Sequence, residues 1–274
     1  MDEYGFFTPE PAVWGKGVGF STFGPAHLAW LLAVAVMDVL IVRGYRRLPA
    51  GTEKGSPRRR MMLVVALVPL ALLVGDDVLM ASWGLFSPQW WPLHTCNMCE
   101  YLLLVYAIHP NRPAGEVIFT LGLLGAALAL LFPGWTNCAP TSYPTLCGFA
   151  EHGLLVAFVL MLLAGGDLDP RREDLRVSMA FVAVYLAVIY PLNKALDTNF
   201  AFVHTPSAGS PLVAVAAGLH EMFNRRYNGI TVSRPVVAMG EQLGFLPGSL
   251  DEKMRPWLQP IHDALDLLMR PSTP

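Results

Sequence analysis

The stretch that decides the fold is residues 61–75, which read MMLVVALVPLALLVG and contain no charged side chain. Arg58, Arg59 and Arg60 stand directly before this stretch, and Asp76 and Asp77 directly follow it. A helix needs about 20 apolar residues to cross a bilayer, and arginines beside such a run mark its cytoplasmic end. The sequence therefore predicts a membrane-spanning helix over residues 61–83 with two carboxylates in its outer half.

The composition of the whole chain agrees with a membrane environment. Of its 274 residues, 54% are hydrophobic and only 15% are charged, whereas about 25% are charged in an average soluble domain. The formal net charge of -2 leaves no basic excess of the kind that nucleic-acid-binding domains carry. We therefore expect lipids, and no nucleic acid, as partners.

Six further apolar runs complete an all-α, polytopic membrane helix bundle with seven transmembrane helices. The seventh run is short for a crossing and contains His220 and Glu221 near its end. The predicted spans are 26–42, 61–83, 92–108, 114–132, 146–164, 175–192 and 211–223.

The distribution of basic residues predicts which end of each helix faces the cytoplasm. The first loop carries a cluster of six arginines and one lysine, whereas the stretches 84–91 and 133–145 carry no charge. Arg225 and Arg226 follow the seventh run and favour seven spans over six. We expect an extracytoplasmic segment at 1–25, a bundle at 26–227, and a cytoplasmic tail at 228–274 with a possible amphipathic helix.

This topology predicts that polar side chains from several helices lie at one depth, in the outer part of the membrane. Such residues are costly in lipid and are candidates for function. A polar pocket that opens outward is the preferred interpretation, and mutual hydrogen bonding within the bundle is the alternative. The set comprises His27, Asp76, Asp77, His94, Cys96, Asn97, Cys99, Glu100, Glu151, His152, Asn193 and Asn199.

Cys96 is the candidate nucleophile in this set, because a helix N-terminus or a nearby histidine can activate a thiol. His152 is the candidate general base, with His94 in the same site, and Asp77 or Glu100 is the candidate for orienting a histidine. His27, Asn97, Asn193 and Asn199 are candidates for substrate binding. A buried, unreactive thiol is the alternative for Cys96.

Two other roles for the cysteines stay open at this point. Cys96 and Cys99, with His94 and His152, have residue types that bind zinc, although one CxxC pair is a weak signal. Cys138 and Cys147 flank a predicted outer loop and could form a disulfide in an oxidising compartment. We expect no resident metal and no cofactor.

Four segments resemble the YwaF-like integral membrane family in order and spacing. Trp91–Cys96 reads WPLHTC and resembles that family's PLHLC signature, and Phe20–His27 resembles its opening. Tyr143–His152 resembles its segment with a helical histidine, and Asn193–Phe200 resembles its element after the sixth helix. The chain departs from the family at 209–213, which lacks the Trp- and Pro-rich entry to a long seventh helix.

The resemblance implies a chemistry for the pocket. The family includes a eukaryotic transmembrane protein described as a cysteine-dependent acyltransferase of ether phospholipids. Cys96 stands where the PLHLC signature has its cysteine, so the resemblance implies that Cys96 is the nucleophile, with His94 and His152 in the same site. The partners would be membrane lipids, with a lysophospholipid or an acyl-chain donor as substrate.

Two classes of function remain open from the sequence, and a structural subunit that binds another membrane protein is a third possibility. One is cysteine-dependent acyl transfer or hydrolysis on membrane lipids. The other is a transporter, or a membrane protein that binds a small ligand in an outward-facing polar pocket. In both cases we expect a multi-pass protein of the bacterial plasma membrane.

Overall fold

The computed structural model describes residues 4–203, and every regular element in that range is helical. Six helices form the bundle, and a single turn, α1 (Glu10–Val13), precedes them. They are α2 (Pro25–Arg47), α3 (Pro57–Ser82), α4 (Thr95–Ile108), α5 (Arg112–Val117) continued through a π-helical turn (Ile118–Leu123) into α6 (Leu124–Leu131), α7 (Tyr143–Gly165) and α8 (Leu175–Leu196). Short 3₁₀ turns lie at Pro88–Trp90, Arg172–Asp174 and Phe200–Phe202.

Local sequence signals set the ends of these helices. The Ser56 hydroxyl accepts a hydrogen bond from the Arg59 amide at the start of α3, and Asn111 Oδ1 accepts one from the Ala114 amide at the start of α5. Both side chains cap amides that lack a partner within the helix. Gly166 follows α7 with a φ of 73°, a conformation that favours glycine.

Five helices are long and apolar enough to cross a membrane, which agrees with a multi-pass membrane protein. They are α2, α3, the continuous helix Arg112–Leu131, α7, and α8 together with the turn before it. α4 is apolar but has only 14 residues. The seventh predicted span, 211–223, and the predicted tail, 228–274, lie outside the described residues.

The third span differs from its prediction at its beginning. We predicted a helix from Pro92, but α4 begins at Thr95 with His94 as its N-cap residue. The Leu93 carbonyl accepts a hydrogen bond from the Tyr185 hydroxyl at 2.7 Å, so the tertiary structure satisfies a group that a longer helix would have satisfied itself. Cys96 is therefore the second residue of the helix.

α7 lies at the centre of the bundle. Of its apolar window, 67% is buried inside the protein, compared with 17% for α2 and for α8. It packs against α2, α3 and α6, and its Phe158 and Leu162 are fully buried in the main core. The side chains that α7 presents to α3 and α4 therefore face the interior of the protein.

The two ends of the bundle differ in charge. All three ion pairs of the described residues lie at the end where α2, α4 and α7 finish: Arg58 with Asp167, Arg112 with Asp174, and Arg171 with Asp169. The opposite end, where α4 and α7 begin, carries carboxylates without such partners. The candidate functional site lies at this second end.

Candidate functional site

The first turns of α4 bring two thiols into the bundle. Cys96 is half-buried and Cys99 is buried, and both are free thiols. The Cys99 sulfur lies against Gly122 in the π-helical turn. Such turns interrupt α-helices often at functional sites. Cys96 is thus the more accessible thiol of the pair.

Two glutamates accompany Cys96. Glu100 follows it by one helical turn on the same face of α4 and is 0% exposed. Glu151 projects from α7 and is 9% exposed. Both carboxylates interact electrostatically with the Cys96 thiol and with each other. The structure therefore brings Cys96 together with two acidic groups from two helices.

These carboxylates have few hydrogen-bond partners. Within residues 4–203, neither oxygen of Glu100 accepts a hydrogen bond of ordinary length and angle, and Oε1 of Glu151 accepts none either. The Asn97 amide, three residues before Glu100, is the polar side chain beside it. Desolvating a carboxylate without compensation is costly, so this arrangement is unexpected in a purely structural cluster.

α3 extends the acidic group with Asp76 and Asp77, both of which interact electrostatically with Glu151. Gly75 lies close to the Tyr143 hydroxyl of α7, so a side chain at position 75 would displace the Tyr143 ring. The Tyr143 hydroxyl donates a hydrogen bond to the Leu72 carbonyl at 3.2 Å. This close contact holds the end of α3 that carries the aspartates against the start of α7.

His152 lies on a different face of α7. Its Nδ1 is 2.8 Å from the Gly148 carbonyl, so Nδ1 carries the proton and Nε2 has the free lone pair. Its ring stacks on Trp135, with centroids 5.1 Å apart. This tautomer suits a base, but no hydrogen bond joins His152 to Cys96 within residues 4–203. The predicted thiol–imidazole pair stays a prediction.

His94 stands at the N-cap position of α4, and its ring lies among aromatic rings. Its centroid is 5.4 Å from that of Phe200 and 5.5 Å from that of Phe202. The segment that follows α8 therefore packs on the start of α4, close in sequence to Cys96. Asn199 directly precedes this aromatic turn.

His27 forms a structural link between helices. Its Nδ1 accepts a hydrogen bond from the Phe23 amide at 2.8 Å, and its Nε2 donates one to the Leu130 carbonyl at 2.8 Å. The side chain is fully buried. Both ring nitrogens bind the protein's own backbone, so neither is available to a ligand.

Asn193 is likewise occupied by the backbone. Its Nδ2 donates to the Phe200 carbonyl at 3.0 Å, and its Oδ1 accepts from the Phe200 amide at 2.9 Å and from the Thr198 hydroxyl at 3.0 Å. These bonds fold the chain back after α8. Asn193 thereby positions the aromatic turn beside His94.

Neither of the two other roles for the cysteines is found in residues 4–203. Cys138 and Cys147 are free thiols, so the structure has no disulfide between them. Burial, reinforced by Glu10 and Asp76, raises the pKa of the Cys138 thiol to about 12. Within residues 4–203, no group of three or more His, Cys, Asp or Glu side chains is arranged to hold a metal ion.

The N-terminal segment covers the end of the bundle that carries the acidic groups. The Phe6 carbonyl accepts a hydrogen bond from the Tyr143 amide at 2.8 Å, and the Phe20 amide donates one to the Thr136 carbonyl at 2.9 Å. Glu10 Oε1 accepts a hydrogen bond from Trp14 Nε1. Burial and the nearby Asp76 raise the pKa of Glu10 to about 7, although the bond from Trp14 opposes this shift.

A cavity of about 510 Å³ opens between this segment and the loop before α7. Gly15, Gly17 and Phe20 line one side, and Thr136 and Asn137 line the other. Its lining contains no ionisable side chain. It is therefore separate from the acidic site and does not match the predicted polar pocket.

Sequence reasoning missed three polar residues that the structure singles out. Tyr185 of α8 interacts with Cys96 and Cys99, and nothing in its sequence context marked it. Glu10 lies in the N-terminal segment, to which we assigned no functional role. Asp38 is 8% exposed, and its Oδ1 has no hydrogen-bond partner in the part of the chain that the structure describes. Its position inside the first apolar run was a usable signal.

The helices and the polar site together define an integral, multi-pass membrane protein with thiols and carboxylates buried at one end of its bundle. The sequence model of the TMEM164 family matches residues 22–223, which is most of the chain. The chain belongs to the TMEM164 family. The YwaF-like resemblance and its PLHxC signature remain predictions.

A second family model, that of the PhoH-like protein, matches residues 189–273. The PhoH-like protein of Bacillus subtilis is 46% identical over 161 residues, 55% of this chain and 49% of the relative. Protein PhoH2 of the same organism is 42% identical over 67 residues, which are 24% of this chain and 15% of that relative. The PhoH-like protein of Mycobacterium tuberculosis H37Rv is 43% identical over 79 residues, which are 28% of this chain and 22% of that relative.

The chain thus spans half or less of the length of these curated relatives. No solved structure matches the chain. Residues 204–273 of the PhoH-like family match, which include most of the predicted tail at 228–274, lie beyond the described range.

Proposed function

We propose that this protein is a cysteine-dependent acyltransferase or hydrolase of membrane lipids, with Cys96 as the nucleophile. The observation that carries the proposal is the half-buried Cys96 thiol at the start of α4, beside the carboxylates of Glu100 and Glu151. Membership of the TMEM164 family, the family of an ether-lipid acyltransferase, supports it. The bacterial plasma membrane is the proposed location.

The reaction has two steps. In the first, the Cys96 sulfur attacks the carbonyl carbon of a lipid ester while a base takes the thiol proton. The ester bond breaks, the glycerol oxygen takes the proton, and a thioester and a lysophospholipid result. In the second, the hydroxyl of an acceptor lysophospholipid, or water, attacks the thioester and the proton returns to sulfur.

The depth of Cys96 favours this class of substrate. The thiol lies at the beginning of α4, near one end of an apolar bundle, and the ester carbonyls of glycerolipids lie at the boundary of the hydrocarbon layer. A lipid that enters between helices could therefore bring its ester to Cys96 without leaving the membrane.

The test compares Cys96→Ser with Cys99→Ser in vesicles of phosphatidylcholine that contain a fluorescent lysophospholipid. We expect Cys96→Ser to lose acyl transfer and hydrolysis by about 100-fold or more, because the thiol carries the covalent step. Cys99→Ser, one turn further into the helix, should retain most of the activity. Full activity in Cys96→Ser would reject the proposal.

Transport or binding of a small ligand is the second candidate. The unpaired carboxylates near Cys96 favour it, because a site for a cationic ligand needs such groups. It predicts ligand binding that survives Cys96→Ser and disappears when the carboxylates are neutralised.

A further inference from the structure

We propose that the cavity between the N-terminal segment and the loop before α7 binds the headgroup of a membrane lipid. The headgroup is uncharged and rich in hydroxyl groups, and the acyl chains of the lipid lie along α2 and α6. This site is separate from the thiols and carboxylates around Cys96. The inference therefore goes beyond the proposed function and does not depend on it.

The cavity lies at the level of the membrane interface. Every exposed phenylalanine and tryptophan within residues 4–203 lies at the end of the bundle where α4 and α7 begin, and none lies near Arg46 and Arg47 at the other end. Exposed aromatic side chains gather where the headgroups of a bilayer meet its hydrocarbon. The set comprises Phe6, Phe7, Trp14, Phe23, Trp83, Phe86, Trp91, Phe132 and Phe202.

Two of these rings lie between the cavity and the membrane-spanning helices. Phe23 closely follows Ser21, which lines one wall, and Phe132 closely precedes Thr136, which lines the other. The two rings meet edge to face, with centroids 5.8 Å apart, and both are exposed. The surface therefore changes from polar to apolar at this ring pair.

Beyond the ring pair, α2 and α6 offer an apolar surface for acyl chains. The His27 side chain joins the two helices at this end, because its Nε2 donates a hydrogen bond to the Leu130 carbonyl at 2.8 Å. Both helices belong to segments that are long and apolar enough to cross a membrane. Their exposed leucines are Leu28 and Leu32 on α2, and Leu124, Leu128 and Leu131 on α6.

The walls of the cavity are held in place by the backbone. The Phe20 amide donates a hydrogen bond to the Thr136 carbonyl at 2.9 Å. A side chain on Gly19 would collide with that same carbonyl, so the two walls can approach each other only because residue 19 is a glycine. Gly15 and Gly17 have φ angles of 72° and 71°, a conformation that favours glycine, and they leave their wall without side chains.

The lining favours hydroxyl groups over charged groups. It includes the side chains of Ser21, Thr136 and Asn137, which form no hydrogen bond of ordinary length and angle with other groups of residues 4–203. These hydroxyl and amide groups can both donate and accept hydrogen bonds, as the hydroxyls of a sugar or of glycerol do. No Lys or Arg lines the cavity to pair with a phosphate, so a glycosylated diacylglycerol fits it better than an anionic phospholipid.

The test measures lipid binding to the full chain in detergent micelles by native mass spectrometry. The two probes are monogalactosyldiacylglycerol, which has an uncharged sugar, and phosphatidylglycerol, which has an anionic phosphate. We expect monogalactosyldiacylglycerol to bind about tenfold more tightly, because its sugar replaces water on the lining while a phosphate finds no cation there. Equal binding of the two lipids, or a preference for phosphatidylglycerol, would overturn the inference.

Three variants locate the binding in the cavity. Thr136→Val removes a hydroxyl and keeps the shape of the side chain, and it should weaken binding of monogalactosyldiacylglycerol several-fold. Asn137→Trp fills the cavity and should abolish the preference for the sugar lipid. Thr141→Trp is the matched control, because Thr141 is exposed in the same loop but does not line the cavity. A preference that survives in both Thr136→Val and Asn137→Trp would place the lipid elsewhere.

A photoreactive probe tests the site in the protein without substitutions, where a folding defect cannot affect the result. Monogalactosyldiacylglycerol with a diazirine on its galactose should crosslink to residues 13–21 and 136–137, as identified by mass spectrometry of the peptides. Crosslinks confined to other segments would contradict the proposed site. Cys96→Ser should give the same crosslinks, so a failure of the proposed acyl transfer and a failure of this lipid site are distinguishable.

Discussion

At the scale of single residues, Glu10 makes the N-terminal segment sensitive to pH. Its folded-state pKa of about 7 lies above its usual value of 4.5, because of burial and the nearby Asp76. A raised pKa means that the docked segment binds the proton more tightly than the undocked one. Docking is therefore strongest below about pH 4.5 and weakens as the pH rises through 7.

We expect residues 4–24 to be more protected from hydrogen exchange at pH 5 than at pH 8, after correction for the intrinsic exchange rate. Glu10→Gln should keep the protection high at both values, since an amide has no proton to lose. The Cys138 thiol does not ionise between pH 5 and pH 8, because its pKa is about 12. Equal protection of the native segment at both pH values would contradict this account.

At the scale of the helices, a buried ion pair fastens α3 to α7 at the end opposite the site. Arg58 Nη1 donates to Asp167 Oδ2 and to the Gly165 carbonyl, both at 2.8 Å. Tyr45 of α2 donates its hydroxyl to the same Asp167 oxygen at 2.7 Å. Tyr106 of α4 donates to the Asp167 carbonyl at 2.9 Å, so four helices meet at this point.

We expect Arg58→Ala to lower the free energy of unfolding by about 3–5 kcal/mol, because it leaves the Asp167 charge buried without its partner. Arg171→Ala breaks an ion pair whose side chains are more than half exposed and should cost about 0–1 kcal/mol. Thermal unfolding of both variants in the same detergent measures the difference. A similar loss in both would mean that the Arg58 pair adds nothing beyond a surface contact.

The sequence predicted the helices well because apolar runs and capping residues are local signals. The predicted start of α3 at residue 61 lies four residues after Pro57, where the helix begins behind the Ser56 cap. The alternating topology predicted a common depth for Glu100 and Glu151. The roles of His27 and Asn193 could not be predicted, since their partners are backbone groups. The Leu130 carbonyl lies 103 residues from His27, and the turn that Asn193 binds has no periodic pattern.

The sequence likewise could not predict that Cys96 lies beside carboxylates. Glu151 and His152 are neighbours in sequence, but their side chains lie about 100° apart around a helix. Which of the two faces Cys96 depends on the rotation of α7 in the bundle. Only the packing of its large side chains, such as Phe149 and Phe158, fixes that rotation.

At the scale of the whole molecule, the distribution of charge predicts the orientation in the membrane. The basic cluster lies at the end of α2 (Arg43, Arg46, Arg47) and the start of α3 (Arg58, Arg59, Arg60), around the loop that joins them. The loop between α3 and α4 has no charge. The positive-inside rule therefore places the first loop in the cytoplasm and the second outside. The end with the carboxylates would then face away from the cytoplasm.

Two cysteine substitutions test this orientation. Lys54 and Gln89 are exposed residues in the two loops. A maleimide that cannot cross membranes should label Gln89→Cys in intact cells and Lys54→Cys only after the cells are opened. The reverse pattern would place the acidic site on the cytoplasmic side. The protein without either substitution is the control, because it shows how far the native cysteines are labelled.

The central position of α7 also has a consequence for the biogenesis of the protein. The ribosome releases α2, α3, α4 and the helix Arg112–Leu131 before α7, yet α7 is the helix around which they pack. Until residue 165 has left the ribosome, the earlier helices have no common neighbour, and Glu100 lacks the helix that covers it. Although α3 and α4 also contact each other, the bundle can complete its packing only late in translation, once α7 is present.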